Sequence, residues 1–179
     1  MLESLGLFLW SVVEAIFFPI PPDGLLMALA LKKNGLYLGA ITTIGSILGA
    51  LIGYYLGIKG GRPLLKKWVN QERLYKVEAL FNKYDVWVVM VAGFTPIPYK
   101  VFAISAGVFQ SHIPRFIVAS LIGRGLRFML EGYFVMVYGA QIIDWLKEYF
   151  DTISLLLVAG IIVLVLLVTY LKRLVIKRR

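Results

Sequence analysis

The sequence predicts an all-α integral membrane protein of one domain, built from two re-entrant hairpins of broken helix and about three transmembrane helices in an inverted repeat. Three observations predict it. Hydrophobic residues make up 60% of the chain and charged residues 16%, with a mean hydropathy of +0.82, and several stretches approach bilayer-spanning length, which is outside the range of soluble domains. A phrase with two prolines one residue apart occurs twice inside apolar stretches, Phe18-Pro19-Ile20-Pro21-Pro22-Asp23 and Thr95-Pro96-Ile97-Pro98-Tyr99-Lys100. Basic residues gather between and after the apolar stretches, where positive-inside bias places them. Proline lacks an N–H and pushes its predecessor toward extended backbone, so neither phrase can stay helical. In hydrocarbon a broken backbone persists only where it is buried in protein or lines a wet cavity, so the phrases mark a site.

In chain order, residues 5–31 form the first broken stretch, interrupted by Glu14 and by the phrase with Pro19, Pro21 and Pro22. Its halves are each too short to span. With no basic n-region and no small-residue cleavage pattern, it is expected to stay in the mature protein. After the polar turn at Lys32 to Gly35, residues 36–57 run 22 positions without a charge, roughly 33 Å of helix and a transmembrane span. Gly45, Gly49, Gly53 and Gly57 line one face of it, where another backbone can approach closely. Residues 59–85 are a basic cytoplasmic segment. Its later part reads either as an amphipathic helix on the membrane surface, capped by Asn70, or as a solvated connector. Residues 86–112 are the second broken stretch, with Pro96, Pro98 and Lys100 inside it, and His112 is read as structural. Residues 113–139 are a span that carries Ser120, Arg124, Arg127 and Glu131 on one helix face. A charge at mid-bilayer costs about 2.5–3.5 kcal/mol, so this face must look at partners or water. Arg127 and Glu131 could equally be an i,i+4 pair that holds the bundle together. Residues 141–152 are polar, residues 153–171 form an uncharged span, and 172–179 are a basic tail.

If all five apolar stretches crossed the membrane, the 59–85 segment and the tail would lie on opposite faces. If the two broken stretches dip in and return, both lie in the cytoplasm, as positive-inside bias favours. The matches Pro19-Ile20-Pro21 with Pro96-Ile97-Pro98, Ser46-Ile47-Leu48-Gly49 with Ser120-Leu121-Ile122-Gly123, and Tyr54-Tyr55-Leu56-Gly57 with Met136-Val137-Tyr138-Gly139 occur in the same order in each half. Discontinuous helices that meet at the midplane are a recurring transporter plan, and their N-termini favour anions such as phosphate. Converging acids at Glu14 and Asp23 and bases at Lys100, Arg124 and Arg127 suit a phosphate-carrying substrate, and a desolvated carboxylate among them could carry a proton. The chain has no cysteine, one histidine and no HExxH, GxSxG or Walker pattern, which argues against an enzyme and leaves no thiolate metal site. No cofactor and no nucleic acid is expected.

Glu14 with Pro19-Ile20-Pro21-Pro22-Asp23, the glycine-rich span that ends Gly53-Tyr54-Tyr55-Leu56-Gly57, Gly60-Gly61-Arg62, Gly93-Phe94-Thr95-Pro96-Ile97-Pro98-Tyr99-Lys100 and Ala106-Gly107 together resemble the DedA (SNARE-associated Golgi protein, VTT-domain) family, most nearly its small YqaA-like branch. The resemblance implies two facing re-entrant hairpins and a prokaryotic plasma-membrane transporter of lipids, a flippase or scramblase for a phospholipid or polyprenyl phosphate such as undecaprenyl phosphate, with protons as a proposed coupling ion. It places the family's acidic pair at Glu14 and Asp23. Gly93 stands at the family's first arginine and Tyr99 or Lys100 at its second, with Lys100, Arg124 and Arg127 as sources of the charge. The alternatives are a lipid-binding assembly factor and a membrane enzyme that acts on lipid phosphates.

Overall fold

The computed structural model describes residues 2–16, 20–63, 65, 71–96, 98–160, 162, 163 and 166. Pro19, Asn70, the tail 172–179 and most of the second half of the 153–171 stretch lie outside them. The described residues form helices and no strand. α1 (Leu2–Ile16) and α2 (Asp23–Ala30) flank the first proline phrase, and α3 (Gly35–Leu56) follows. α4 (Gln71–Phe94) and α5 (Tyr99–Val108) flank the second phrase, and α6 (Ile113–Tyr138) follows. α7 (Gln141–Trp145) leads through a π-helical turn, Leu146–Phe150, into α8 (Asp151–Gly160).

Local chemistry sets the helix ends. Asn34 caps α3 by accepting a hydrogen bond from Tyr37 N at 3.0 Å. α6 starts on Pro114, where a missing N–H costs nothing, and stops at Gly139, whose φ of 67° is open to glycine. α4 runs unbroken through the boundary expected at residues 85 and 86, because no proline or glycine falls between Gln71 and Val91. The surface segment and the first arm of the second broken stretch are therefore one 24-residue helix.

Side-chain register gives the helix directions. An added Cβ on Gly45 would lie 2.7 Å from Phe8 O and 3.1 Å from Ser11 Cβ, while one on Gly49 would collide with Val12 O and approach Ala15. The partners advance together, so α1 and α3 run the same way. Gly35 meets Gly132, Gly39 meets Phe128, and Gly125 meets Thr43, so α3 and α6 run in opposite directions. Gly123 meets Met90 and the Arg127 side chain reaches Phe94 O, so α4 runs with α6. A chain that travels α1 and then α3 in one direction must come back between them. The ion pair between Lys33 and Glu3 at 2.5 Å closes that first return. The second is closed where Asn82 Nδ2 donates to Phe109 O at 3.3 Å, Ser111 Oγ donates to Asn82 Oδ1 at 3.3 Å, and the rings of Phe81 and Phe109 pack 5.0 Å apart.

The glycine face of α3 serves both broken stretches. Its middle seats α1 through Gly45 and Gly49, and its C-terminal end seats α5 through Gly53 and through the capping Gly57, where a Cβ would strike Ile104 O. The bundle buries polar and charged side chains beside two apolar clusters and exposes many large apolar ones. Thr42, Thr43, Ser46, Ser120, Arg124, Arg127 and Glu131 are buried, whereas Ile44, Leu48, Ile52, Leu121, Ile122, Leu126 and Val137 are exposed. Buried hydroxyls bond back into their own helices, Thr42 to Leu38 O at 2.8 Å and Ser120 to Phe116 O at 2.6 Å. Among the described residues one helix is both long and apolar enough to cross a membrane by length and composition, Gly35–Gly61 with a mean hydropathy of 1.8. α6 has the length, at 26 residues, but carries Arg115, Arg124, Arg127 and Glu131.

Candidate functional site

The two backbone breaks open onto one cavity of about 270 Å³. Pro21 and Asp23 line it from the first break, Thr95, Pro96, Pro98, Tyr99 and Lys100 from the second, and Glu14, Arg124, Arg127 and Asp151 complete it. Pro22 is buried at the start of α2 and does not line the cavity. The N-termini of α2 and α5 both reach this space, so two positive helix ends face it. Each of these ends carries its own side-chain charge, Asp23 on α2 and Lys100 on α5.

Arg124 joins the two halves of the chain. Its Nη2 donates to Glu14 Oε2 on α1 at 2.7 Å and its Nε donates to Ser46 Oγ on α3 at 2.7 Å. Its guanidinium lies 4.8 Å from the Tyr99 ring centre and 5.0 Å from that of Phe128, a stacked setting that suits arginine better than lysine. The Tyr99 hydroxyl is hydrogen-bonded to Ser120, which fixes the ring beneath the arginine. Gly93 lies directly against this helix, where a Cβ would sit 3.1 Å from Arg124 N and 3.3 Å from its Cγ. A side chain at 93 has no cheap space, and the cations here come from α6 and from Lys100.

Arg127 is the centre of an acidic shell. Its Nη2 lies 3.1 Å from Asp23 Oδ2 and 3.0 Å from Asp151 Oδ1, and its Nη1 donates to Phe94 O, the terminal carbonyl of α4, at 3.4 Å. Its Nε is 3.1 Å from Glu131 Oε1, close enough to pair but outside hydrogen-bonding geometry, and both Glu131 carboxylate oxygens are buried without a hydrogen-bond donor. A second cavity of about 140 Å³ lies on the Glu131 side, lined by Asp23, Met27, Arg127, Glu131, Leu146 and Asp151. Asp23, Arg127 and Asp151 line both cavities and form the wall between them.

Of the residues singled out from the sequence, Glu14, Asp23, Pro21, Pro96, Pro98, Lys100, Arg124 and Arg127 line the larger cavity and Glu131 the smaller; Pro19 lies outside the described residues. Sequence reasoning missed Asp151, Ser46 and the role of the Tyr99 ring. Asp151 sits in a run with Asp144 and Glu148 that has the composition of a solvated connector, and nothing local marks one of the three as inward-facing. Among the described residues no group of three or more metal-ligating side chains is placed to hold an ion. The chemistry present is charge pairing and hydrogen bonding among these side chains.

A helical bundle that exposes large apolar side chains, buries charges and is interrupted beside them has the build of a membrane protein. Comparison with known proteins specifies it further. The VTT domain family model matches residues 20–137, and the chain belongs to this family, the DedA family of membrane proteins. An uncharacterized protein of Haemophilus influenzae is 38% identical over 125 residues, 67% of this chain and 65% of that one. The undecaprenyl phosphate transporter A of Staphylococcus aureus is 29% identical over 133 residues, 66% of this chain and 65% of its own length. A Lactococcus lactis protein described as alkaline phosphatase-like is 29% identical over 133 residues, 66% of this chain and 62% of that one. The chain thus spans just under two thirds of the length of each of these relatives. No solved structure matches.

Proposed function

We propose that this chain is a membrane transporter that moves a phosphate-bearing lipid from one leaflet to the other, as a flippase or scramblase, with protons as the coupling ion. The observation that carries the reading is the cavity shared by both backbone breaks, with Arg124, Arg127 and Lys100 beside Glu14 and Asp23. At about 270 Å³ it is smaller than the roughly 300–1,000 Å³ of drug-sized ligand sites, so it suits a headgroup whose chain stays in the bilayer. The undecaprenyl phosphate transporters among the relatives point to a polyprenyl phosphate as the substrate class.

Arg124, Arg127 and Lys100 are the anion-binding side, and Glu14 and Asp23 the acidic side. A phosphate that takes over the guanidinium fork of Arg124 releases Glu14. A carboxylate that loses its partner in a dry site can stay there only by taking a proton, which ties substrate entry to protonation. The charges agree with such an exchange: Glu14, Asp23, Glu131 and Asp151 are four acids against three cations, Arg124, Arg127 and Lys100, so one negative charge is in excess when all are ionised. The enzyme reading has the Lactococcus name in its favour. Of the two hydroxyl-bearing side chains on the cavity wall, Thr95 donates to Val91 O at 2.9 Å and Tyr99 is hydrogen-bonded to Ser120, and no histidine is among the described lining residues.

In the bilayer, residues 5–31 and 86–112 are read as re-entrant, with the 59–85 segment and the C-terminal tail cytoplasmic. The same direction of α1 and α3, and of α4 and α6, supports this. Single cysteines are easily read in a chain that has none. Cysteines at Lys59 and Lys177 are expected to label from the cytoplasmic side of intact cells and one at Lys33 from the other; opposite labelling of Lys59 and Lys177 removes the topology.

The functional test is reconstitution into liposomes that carry labelled undecaprenyl phosphate, with translocation, chemical conversion and neither as the outcomes that separate transporter, enzyme and assembly factor. Glu14→Gln and Asp23→Asn keep size and hydrogen bonding but cannot titrate. Both are expected to fold and to lose translocation or its pH dependence. Arg124→Lys and Arg127→Lys keep the charge without the fork and are expected to slow translocation. Wild-type rates and pH profiles in all four, at wild-type stability, leave these roles without support.

A further inference from the structure

We propose that Asp151 is a displaceable counter-ion of Arg127, a carboxylate that holds the arginine until the anion arrives and must swing aside for it to bind. The inference rests on the transporter reading and adds a gating residue to its site. Two carboxylates reach Nη2 of Arg127 at nearly the same distance, Asp23 at 3.1 Å and Asp151 at 3.0 Å. They differ in what it costs to leave. The Asp23 side chain is 16% exposed and that of Glu131 1%, whereas Asp151 is 50% exposed. A half-exposed carboxylate on a cavity wall can exchange its partner for water that enters the cavity, while a buried one that lets go is stranded.

Position and backbone support the same role. Asp151 lines both cavities beside Arg127, so the pair stands at the edge of the larger one, where an anion would arrive. It directly follows the π-helical turn Leu146–Phe150, a kind of turn that is frequent at functional sites and re-aims the side chains next to it. The flanking backbone is anchored, by Leu146 at 2% exposure on one side and by buried Ser154, whose Oγ donates to Asp151 O at 2.9 Å, on the other. Release therefore needs a side-chain rotation and no unfolding of the helix. Asp151 also comes from beyond residues 20–137, so this contact reaches into the VTT domain from outside the matched region. A carboxylate oxygen 3.0 Å from a guanidinium nitrogen stands where a phosphate oxygen would pair, which makes a phosphate monoester or free phosphate the competing chemistry.

The experiment is a titration of the full-length protein in detergent with geranylgeranyl phosphate and, separately, with inorganic phosphate. It is run on wild type, Asp151→Asn, Glu148→Gln and Arg127→Lys, with melting temperatures recorded for each. Glu148 is exposed and makes no ion pair with Arg127, so its variant matches the loss of charge without the loss of the contact. A counter-ion that occupies Arg127 about nine-tenths of the time weakens apparent affinity about tenfold. Asp151→Asn is therefore expected to bind about tenfold tighter, with Glu148→Gln at the wild-type value. Tightening for the lipid alone assigns the chemistry to a headgroup, and tightening for inorganic phosphate assigns it to the free anion; either supports the counter-ion. Unchanged or weaker binding in a folded Asp151→Asn, or equal tightening in Glu148→Gln, overturns it while leaving the transporter reading in place. No binding of either probe by wild type or any variant overturns the transporter reading and the counter-ion with it.

Discussion

Arg127→Ala is expected to be the most damaging single substitution in the cavity wall. It leaves Asp23, Glu131 and Asp151 facing one another without the cation they share. Glu131 is the decisive one, because its carboxylate is fully enclosed and has no hydrogen-bond donor of its own. Removing one partner of a buried ion pair costs about 3–5 kcal/mol, which in a domain of this size lowers the melting temperature by about 6–20 °C. The combination Arg127→Ala with Glu131→Gln is expected to recover part of that loss, since it removes the stranded charge as well. Thermal unfolding in detergent reads both. Wild-type melting in Arg127→Ala would mean that the three acids are not held by this arginine.

A second large effect is expected where α3 meets its two partners. At Gly49 and Gly57 an added methyl would run into the carbonyls of Val12 and Ile104, and backbone cannot rotate away as a side chain can. Gly49→Ala and Gly57→Ala are expected to destabilise by about 1–3 kcal/mol or more, as overpacking does, and to separate α3 from α1 and from α5 respectively. Gly24→Ala is the contrast, because nothing lies within 4 Å of its added Cβ and the site is helical. There the loss of backbone entropy in the unfolded chain is expected to stabilise by about 0.4–1 kcal/mol. Equal melting shifts in all three variants would contradict the packing described.

What is legible in the sequence follows from how local each cause is. Proline acts on its own residue and its predecessor, so the place where helix stops after Phe94 can be read directly from the phrase that follows it. The shared face of Ser120, Arg124, Arg127 and Glu131 follows from helical spacing, and all four are buried. The pairings are not local. Which acid meets which arginine depends on α1, α2 and α8 converging on α6 from separate parts of the chain, and nothing local links Asp23 to Arg127 across a separation of 104 positions. Asp151 was hidden for a related reason, since an acid in a polar run reads as solvated until a neighbouring helix claims it. The even spacing of the four α3 glycines likewise does not say that two belong to one partner and two to another.

The backbone contact between Gly35 and Gly132 has a mechanical meaning. It is a place where α3 and α6 touch with no side chain between them, at the first residue of α3 and six residues before the end of α6, and it lies eleven residues from Ser46. At about 1.5 Å per residue, that is a lever arm of about 16 Å to the hydroxyl that binds Arg124. With a fulcrum at the glycines, a relative tilt of about 10° carries the far side by about 3 Å, comparable to a hydrogen-bond length, while the pivot itself barely moves. The same close crossing thus makes the Arg124–Ser46 bond, and the charges around it, sensitive to a scissoring of the two long helices.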